Sequence, residues 1–289
     1  MKELLKKLRK YEIQIRKAIN NQMQGDFHSV FKGSGIEFDD VRTYQYGDDI
    51  RTIDWNVSAK GHGMYVKTFK EEKEQIVFFI LDVSASQEIG KTGLKKIDIA
   101  KEIASVLSLS ALRESSQVGM LCFSDTKEKY IKPDKGQKHG YEIISTIYKL
   151  KPTSLKTDLN EAIRYTLGLM KKRAVIILIS DFIDEGYLDN FKLMCNKHDV
   201  VAIQLAELRE MRFPMLGIIP VFDKESKRTV WMNTSSFSFR KRINNTFIEN
   251  RKKLQETCKK NKASYIQILT HEDFVPKLVK LFRHRKHIA

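Results

Sequence analysis

The apolar positions of this chain change period along its length. Residues 2–22 place Leu4, Leu5, Leu8, Tyr11, Ile15 and Ile19 at steps of three and four. That spacing predicts an amphipathic helix with a Lys/Arg-rich outer face, suited to packing on its own domain or lying on a membrane surface. From Gly25 to Gly63, six glycines punctuate a stretch of turns and short extended pieces. The run Ile76–Leu81 is apolar at every position and suits a strand buried on both faces.

Beyond it, helical and strand periods alternate. Helices are expected at Lys95–Arg113, Tyr141–Leu150, Leu159–Met170 and Tyr187–Asn196. Strands are expected at Val118–Phe123, more weakly at Glu128–Lys132, and at Ala174–Ser180 and Val200–Ala206. This rhythm predicts an α/β fold of Rossmann-like type, a central and mostly parallel sheet flanked by helices. Residues 207–235 break it. Pro214, Gly217 and Pro220 mark loops there, and VFDKESKRTVWM predicts a hairpin turning at Lys224–Lys227. A long basic helix over Phe239–Asn261, a strand at Tyr265–Leu269 and a helix from Phe274 complete the pattern. Two domains are therefore drawn: 1–74, the helix with a small β-rich module, and 75–289, the α/β domain carrying the insertion.

Composition adds three constraints. With 42% hydrophobic and 30% charged residues in 289, the chain is an ordinary globular one. Its apolar runs fall short of the roughly 20 residues a membrane helix needs, and the charged N-terminus lacks the apolar core of a signal peptide. Cys122, Cys195 and Cys258 are odd in number and unpatterned, which fits a reducing, cytoplasmic setting. The net charge of +16 is lopsided: residues 207–289 hold 19 Lys/Arg against 8 Asp/Glu. A solvated helix face explains such charge, and so does an anionic partner or peripheral membrane contact. No zinc-finger spacing or RNA-binding aromatic signature goes with it, so nucleic acid is not the expected partner.

The candidate chemistry sits at strand ends. The first buried run stops at Asp82-Val83-Ser84-Ala85-Ser86, a carboxylate and two hydroxyls at alternate positions where open α/β sheets place ligands. Hard oxygen donors suit Mg2+ or Mn2+. The same residues also suit a Ser-rich turn in which Asp82 caps the next helix. Thr157 in the loop TSLKTDL and Asp181 after Ala174–Ser180 could converge with them. Upstream, Asp48, Asp49, Arg51 and Asp54 beside Trp55 could pair into a charged cluster, a structural clasp or a partner surface.

D-x-S-x-S, a later Thr and a later Asp resemble the metal-ion-dependent adhesion site of von Willebrand factor A domains. The resemblance implies that Ser84, Ser86 and Thr157 hold the ion directly while Asp82 and Asp181 act largely through waters. Two departures stand out. Lys156 precedes Thr157 where Gly is frequent, which leaves Thr153 or Ser154 as stand-ins, and Phe182 takes a frequent Gly position, where it would narrow the rim. The upstream stretch, from Gly25 and His28-Ser29 through Gly33-x-Gly35-x-Glu37-Phe38 to Gly47-Asp48-Asp49-x-Arg51-x-Ile53-Asp54-Trp55, resembles the bacterial family called domain of unknown function 58. That resemblance implies association with MoxR-type AAA+ ATPases in chaperone-like maturation.

The expected function is then a non-enzymatic adaptor gripping a carboxylate on a client or on the ATPase through its ion. The alternatives are a metal-dependent hydrolase and a binder of nucleic acid or anionic surfaces through the basic C-terminal region. Ser84 lacks the G-x-S-x-G elbow, position 84 is not the second carboxylate a phosphotransferase wants, and no P-loop is present.

Overall fold

β3 (Ile76–Asp82) is buried from Val77 to Asp82 because both of its faces are covered. Val77, Phe79 and Leu81 join one apolar cluster and Phe78 and Ile80 the other, as the two-residue period of a strand requires. The computed structural model describes residues 2–20, 33–61, 63–73, 75–211, 215–223 and 228–286.

β3 lies in a six-stranded sheet with β6 (Gln117–Phe123), β7 (Lys127–Asp134), β8 (Val175–Ser180), β9 (Asp199–Ala206) and β12 (Ser264–Leu269). Their order is β12-β9-β8-β3-β6-β7, all parallel except β7, which pairs antiparallel with β6. The expected mostly parallel α/β sheet is observed. β7 is longer than the weak pattern at Glu128–Lys132 suggested, because an edge strand needs few apolar residues.

Helices cover both faces. α1 (Lys2–Asn20), α3 (Lys96–Arg113), α4 (Gln137–Lys149) and α9 (Phe274–Lys286) lie over the first cluster. α5 (Leu159–Leu169), α6 (Leu188–Lys197) and α8 (Phe237–Lys260) lie over the second. Because the chain leaves β3 for β6 on one side and reaches β8 on the other, the carboxyl end of β3 is a topological switch point. A two-residue hairpin, β4 (Gly90–Lys91) and β5 (Leu94–Lys95), precedes α3. The short α7 (Leu208–Met211) leads into the insertion, where β10 (Ile218–Asp223) pairs antiparallel with β11 (Arg228–Asn233). The expected turn at Lys224–Lys227 lies outside the described residues.

The chain divides into two compact units, 32–75 and a larger one of 1–31 with 76–289. This differs from the boundary drawn at 74, because α1 belongs to the larger unit. It packs on α3 and α9, burying Leu8 and Ile15 and setting Tyr11 edge-on to Phe274 at 5.2 Å. Its amphipathic stripe shows that it buries one face; nothing in the stripe shows against what. The smaller unit pairs β1 (Gly33–Thr43) with β2 (Tyr65–Lys73), and α2 (Trp55–Ser58) lies between them in sequence. Gly25, His28 and Ser29 of the family signature lie outside the described residues.

Candidate metal centre

Asp82 is fully buried, and both of its carboxylate oxygens are engaged. Oδ1 accepts from Ser84 N at 3.0 Å; Oδ2 accepts from Ser180 Oγ at 2.7 Å and Gln87 Nε2 at 3.1 Å. Burial, with the nearby charge of Asp181 second, pushes the acid up to about 6 against the opposing hydrogen bonds. Asp82 does not cap a helix. Ser84 holds that position before the single 3-10 turn Ala85–Glu88, and its hydroxyl makes no capping bond. Instead Ser84 Oγ and Ser86 Oγ stand 3.1 Å apart.

The loop before α5 reaches this turn through its backbone, Ala85 N donating to Leu155 O at 3.0 Å. Glu128 on β7 holds the loop from below, accepting from Thr153 N at 2.9 Å, Ser154 N at 3.0 Å and Ser124 Oγ at 2.7 Å. Thr153 Oγ1 also lies 2.9 Å from this carboxylate, so its hydroxyl is already committed. Asp158 caps α5 through Glu161 N at 2.7 Å. Between these fixed points, the Thr157 hydroxyl is buried and has no hydrogen-bond partner. Buried polar atoms without partners are few in folded proteins, and an unplaced ion or water is a standard reason for one.

Asp181 is also fully occupied. Its Oδ1 accepts from Ile183 N at 3.2 Å, and its Oδ2 accepts from Lys96 Nζ at 2.7 Å. Lys96 is completely buried and donates as well to Glu210 Oε1 at 2.6 Å, on α7. Burial pulls the ammonium down, but Asp181 and Glu210 more than offset it, and the net shift is upward. Sequence reasoning missed Lys96 because Lys95-Lys96 reads as a solvated helix start. Glu128 was missed for a similar reason, standing in the charged run Lys127–Lys132.

Phe182 follows Asp181 directly. It adopts φ +57, the left-handed region where Gly costs least, and its ring is buried with Tyr187 at 6.0 Å.

The acids of the smaller unit serve that unit. Asp48 forms a two-pronged pair with Arg42, at 2.6 and 2.7 Å, and also accepts from Gln45 N at 2.8 Å. The guanidinium that closes on Asp48 is therefore Arg42's, where the sequence pointed to Arg51. Asp49 caps a 3-10 turn through Arg51 N at 2.9 Å. Asp54 caps α2 through Asn56 N and Val57 N, and Lys67 approaches it at 3.6 Å. Trp55 is exposed.

Among the described residues no three His, Cys, Asp or Glu side chains converge on a point that would hold an ion. Any cation at the switch point therefore relies on hydroxyls. The family described as protein of unknown function DUF58 matches residues 40–253. The chain belongs to this family. A DUF58 chain of this kind is 25% identical over 222 residues to an uncharacterized protein of Mycobacterium tuberculosis, covering 76% of this chain and 70% of that one. An aerotolerance-related membrane protein from Bacteroides fragilis superimposes with a TM-score of 0.51 at 15% identity, over 74% of this chain and 100% of that one. A von Willebrand factor type A protein from Catenulispora acidiphila overlaps more loosely, with a TM-score of 0.37 at 11% identity, over 79% of this chain and 51% of that one. The fold is a mixed α/β one, a central and mostly parallel six-stranded sheet flanked by helices.

Proposed function

We propose that this DUF58 chain is a non-enzymatic protein-binding adaptor whose contact point is a divalent cation, Mg2+ or Mn2+, at the carboxyl end of β3. The observation that carries the reading is the Thr157 hydroxyl, buried and unpartnered in the loop whose Leu155 carbonyl accepts from Ala85 N, between Ser84 and Ser86. Ser84, Ser86 and Thr157 would supply the direct oxygens. The carboxylates of Asp82 and Asp181, engaged by protein donors, would support the ion through water. Mg2+ prefers six oxygens and keeps several waters, so three hydroxyls leave room for an incoming carboxylate.

Two features favour gripping over catalysis. Ser84 Oγ contacts the Ser86 hydroxyl and the Asp82 carboxylate, a Ser–Asp pairing without the His base that usually activates a serine nucleophile. Asp82, closed in by three donors, is a poor nucleophile. The family resemblance points to a MoxR-type AAA+ ATPase, or a client it remodels, as the carboxylate donor. Among the described residues no helix is long and apolar enough to cross a membrane, and all three cysteines are free thiols. Both facts support placing the adaptor in the cytoplasm.

Affinity capture with the full chain, in Mg2+ and in EDTA, tests the reading. A partner retained in Mg2+ and released by EDTA supports it. Asp82→Ala should abolish Mg2+ binding in calorimetry while circular dichroism stays unchanged. An unaltered metal titration in that variant overturns it.

A further inference from the structure

The hairpin of β10 and β11 forms a two-stranded sheet of its own, outside the six-stranded one. Isolated two-stranded hairpins are marginal in water. Among the described residues, the hydrogen bonds that fix this one to the flanking chain lie at its base. Thr234, fully buried, donates its backbone N–H to Gly217 O at 2.8 Å and accepts from Leu216 N at 3.0 Å, and Ser235 Oγ accepts from Gly217 N at 3.1 Å.

Above that base the apolar residues face water. Ile218, Pro220, Trp231 and Asn233 share one face, because Ile218 pairs with Asn233 and Pro220 with Trp231. Trp231 is 67% exposed, and Ile218, Met215 and Leu216 are exposed as well. Phe237, at the start of α8, is 73% exposed. α8 has no fully buried residue before Leu254, although Phe239, Ile243 and Phe247 are half-buried and α7 packs against the helix. Lys241 and Arg242 lie exposed on this stretch, next to half-buried Arg240.

We infer that this arm docks reversibly on an anionic lipid bilayer. Trp231, Ile218 and Phe237 enter the boundary between headgroups and acyl chains, and Lys241 and Arg242 meet the headgroup charge. An apolar cluster rich in Trp and Phe beside a basic stretch is the composition of interfacial membrane elements. The aliphatic members decide between lipid and nucleic acid. Bases stack on aromatic rings, whereas Met215, Leu216 and Ile218 gain only from an apolar phase. The excess of Lys/Arg across 207–289 supplies long-range attraction of the same sign. The lipid contact uses none of the residues of the cation site and is assayed in EDTA, so each proposal stands or falls alone.

The chain has two tryptophans, so Trp55→Phe leaves Trp231 as the reporter. The full-length variant is mixed with phosphatidylcholine vesicles, with and without phosphatidylglycerol, in EDTA. The expected result is sedimentation with the phosphatidylglycerol vesicles alone and a blue shift of Trp231 emission. Trp231→Ser combined with Phe237→Ser should weaken vesicle binding by about tenfold or more with unchanged circular dichroism. Lys241→Glu with Arg242→Glu should remove the preference for anionic lipid. The inference is overturned by sedimentation without an emission shift, by equal binding of the Ser variant, or by a Trp231 shift with RNA homopolymer but not with vesicles.

Discussion

Lys96 Nζ sits 2.7 Å from Asp181 Oδ2 with neither side chain reaching solvent. The pair places a fixed positive charge against one of the two carboxylates of the candidate cation site. Glu210, half-buried and 2.6 Å from the same nitrogen, completes a triad.

Breaking that triad exposes its cost. Lys96→Met leaves two acids in the interior without their cation, and loss of one partner from a buried pair costs about 3–5 kcal/mol. Denaturant titration should show that loss. The same variant removes the charge that opposes a second cation, so Mg2+ should bind more tightly than in the native chain and restore part of the lost stability. Calorimetry on Lys96→Met checks the sign, and a weaker or absent Mg2+ response refutes the electrostatic account.

Thr157→Val separates ion holding from packing. The substitution keeps the shape and deletes a hydroxyl that bonds to nothing in the fold, so stability should change by less than about 1 kcal/mol. Divalent-cation affinity should fall by about tenfold or more, as loss of a direct oxygen ligand requires. Thr153→Val should do the reverse, lowering stability through its Glu128 contact while leaving the metal titration unchanged.

Glu128 is the post on which that loop hangs. Its hydrogen bonds hold the carboxyl below the ordinary glutamate range, although burial pulls the other way. A depressed acid contributes stability that is present above its unfolded pKa of about 4.5 and lost as pH falls through the folded value. Glu128→Ala should remove this part of the acid sensitivity. Hydrogen exchange should show Thr153 and Ser154 amides losing protection while the β3 amides keep theirs.

His198 makes a second pH dependence of different origin. Both ring nitrogens are buried without partners, and burial holds the imidazole below its ordinary value. The unfolded chain therefore takes up the proton first, and stability is lost as pH drops through about 6.5 towards the lower folded value. His198→Phe should flatten thermal stability across that interval. A retained slope would place the titration elsewhere.

The sheet was legible because strands buried on both faces need unbroken apolar runs, as Ile76–Leu81 and Ala174–Ser180 show. The positions of Asp82, Ser84, Ser86 and Asp181 followed, since each lies at the end of such a strand. What was hidden depends on partners far apart in sequence. Lys96 looks solvated until Asp181 and Glu210, 85 and 114 residues away, enclose it. Arg51, three residues on, looks the nearer mate for Asp48, and only the fold of the smaller unit brings Arg42 to it instead. Thr153 remains a stand-in for Thr157 in a linear reading, and its commitment to Glu128 shows only in the fold.

The place of β3 between β6 and β8 has a temporal meaning as well. Ser84, Thr157 and Asp181 arrive on three separate passages of the chain, and the last belongs to the loop that follows β8. A nascent chain ending before residue 181 has the serines and no Asp181 to set against Lys96. The proposed cation site is therefore complete only after synthesis has passed the middle strands and the sheet has closed around them.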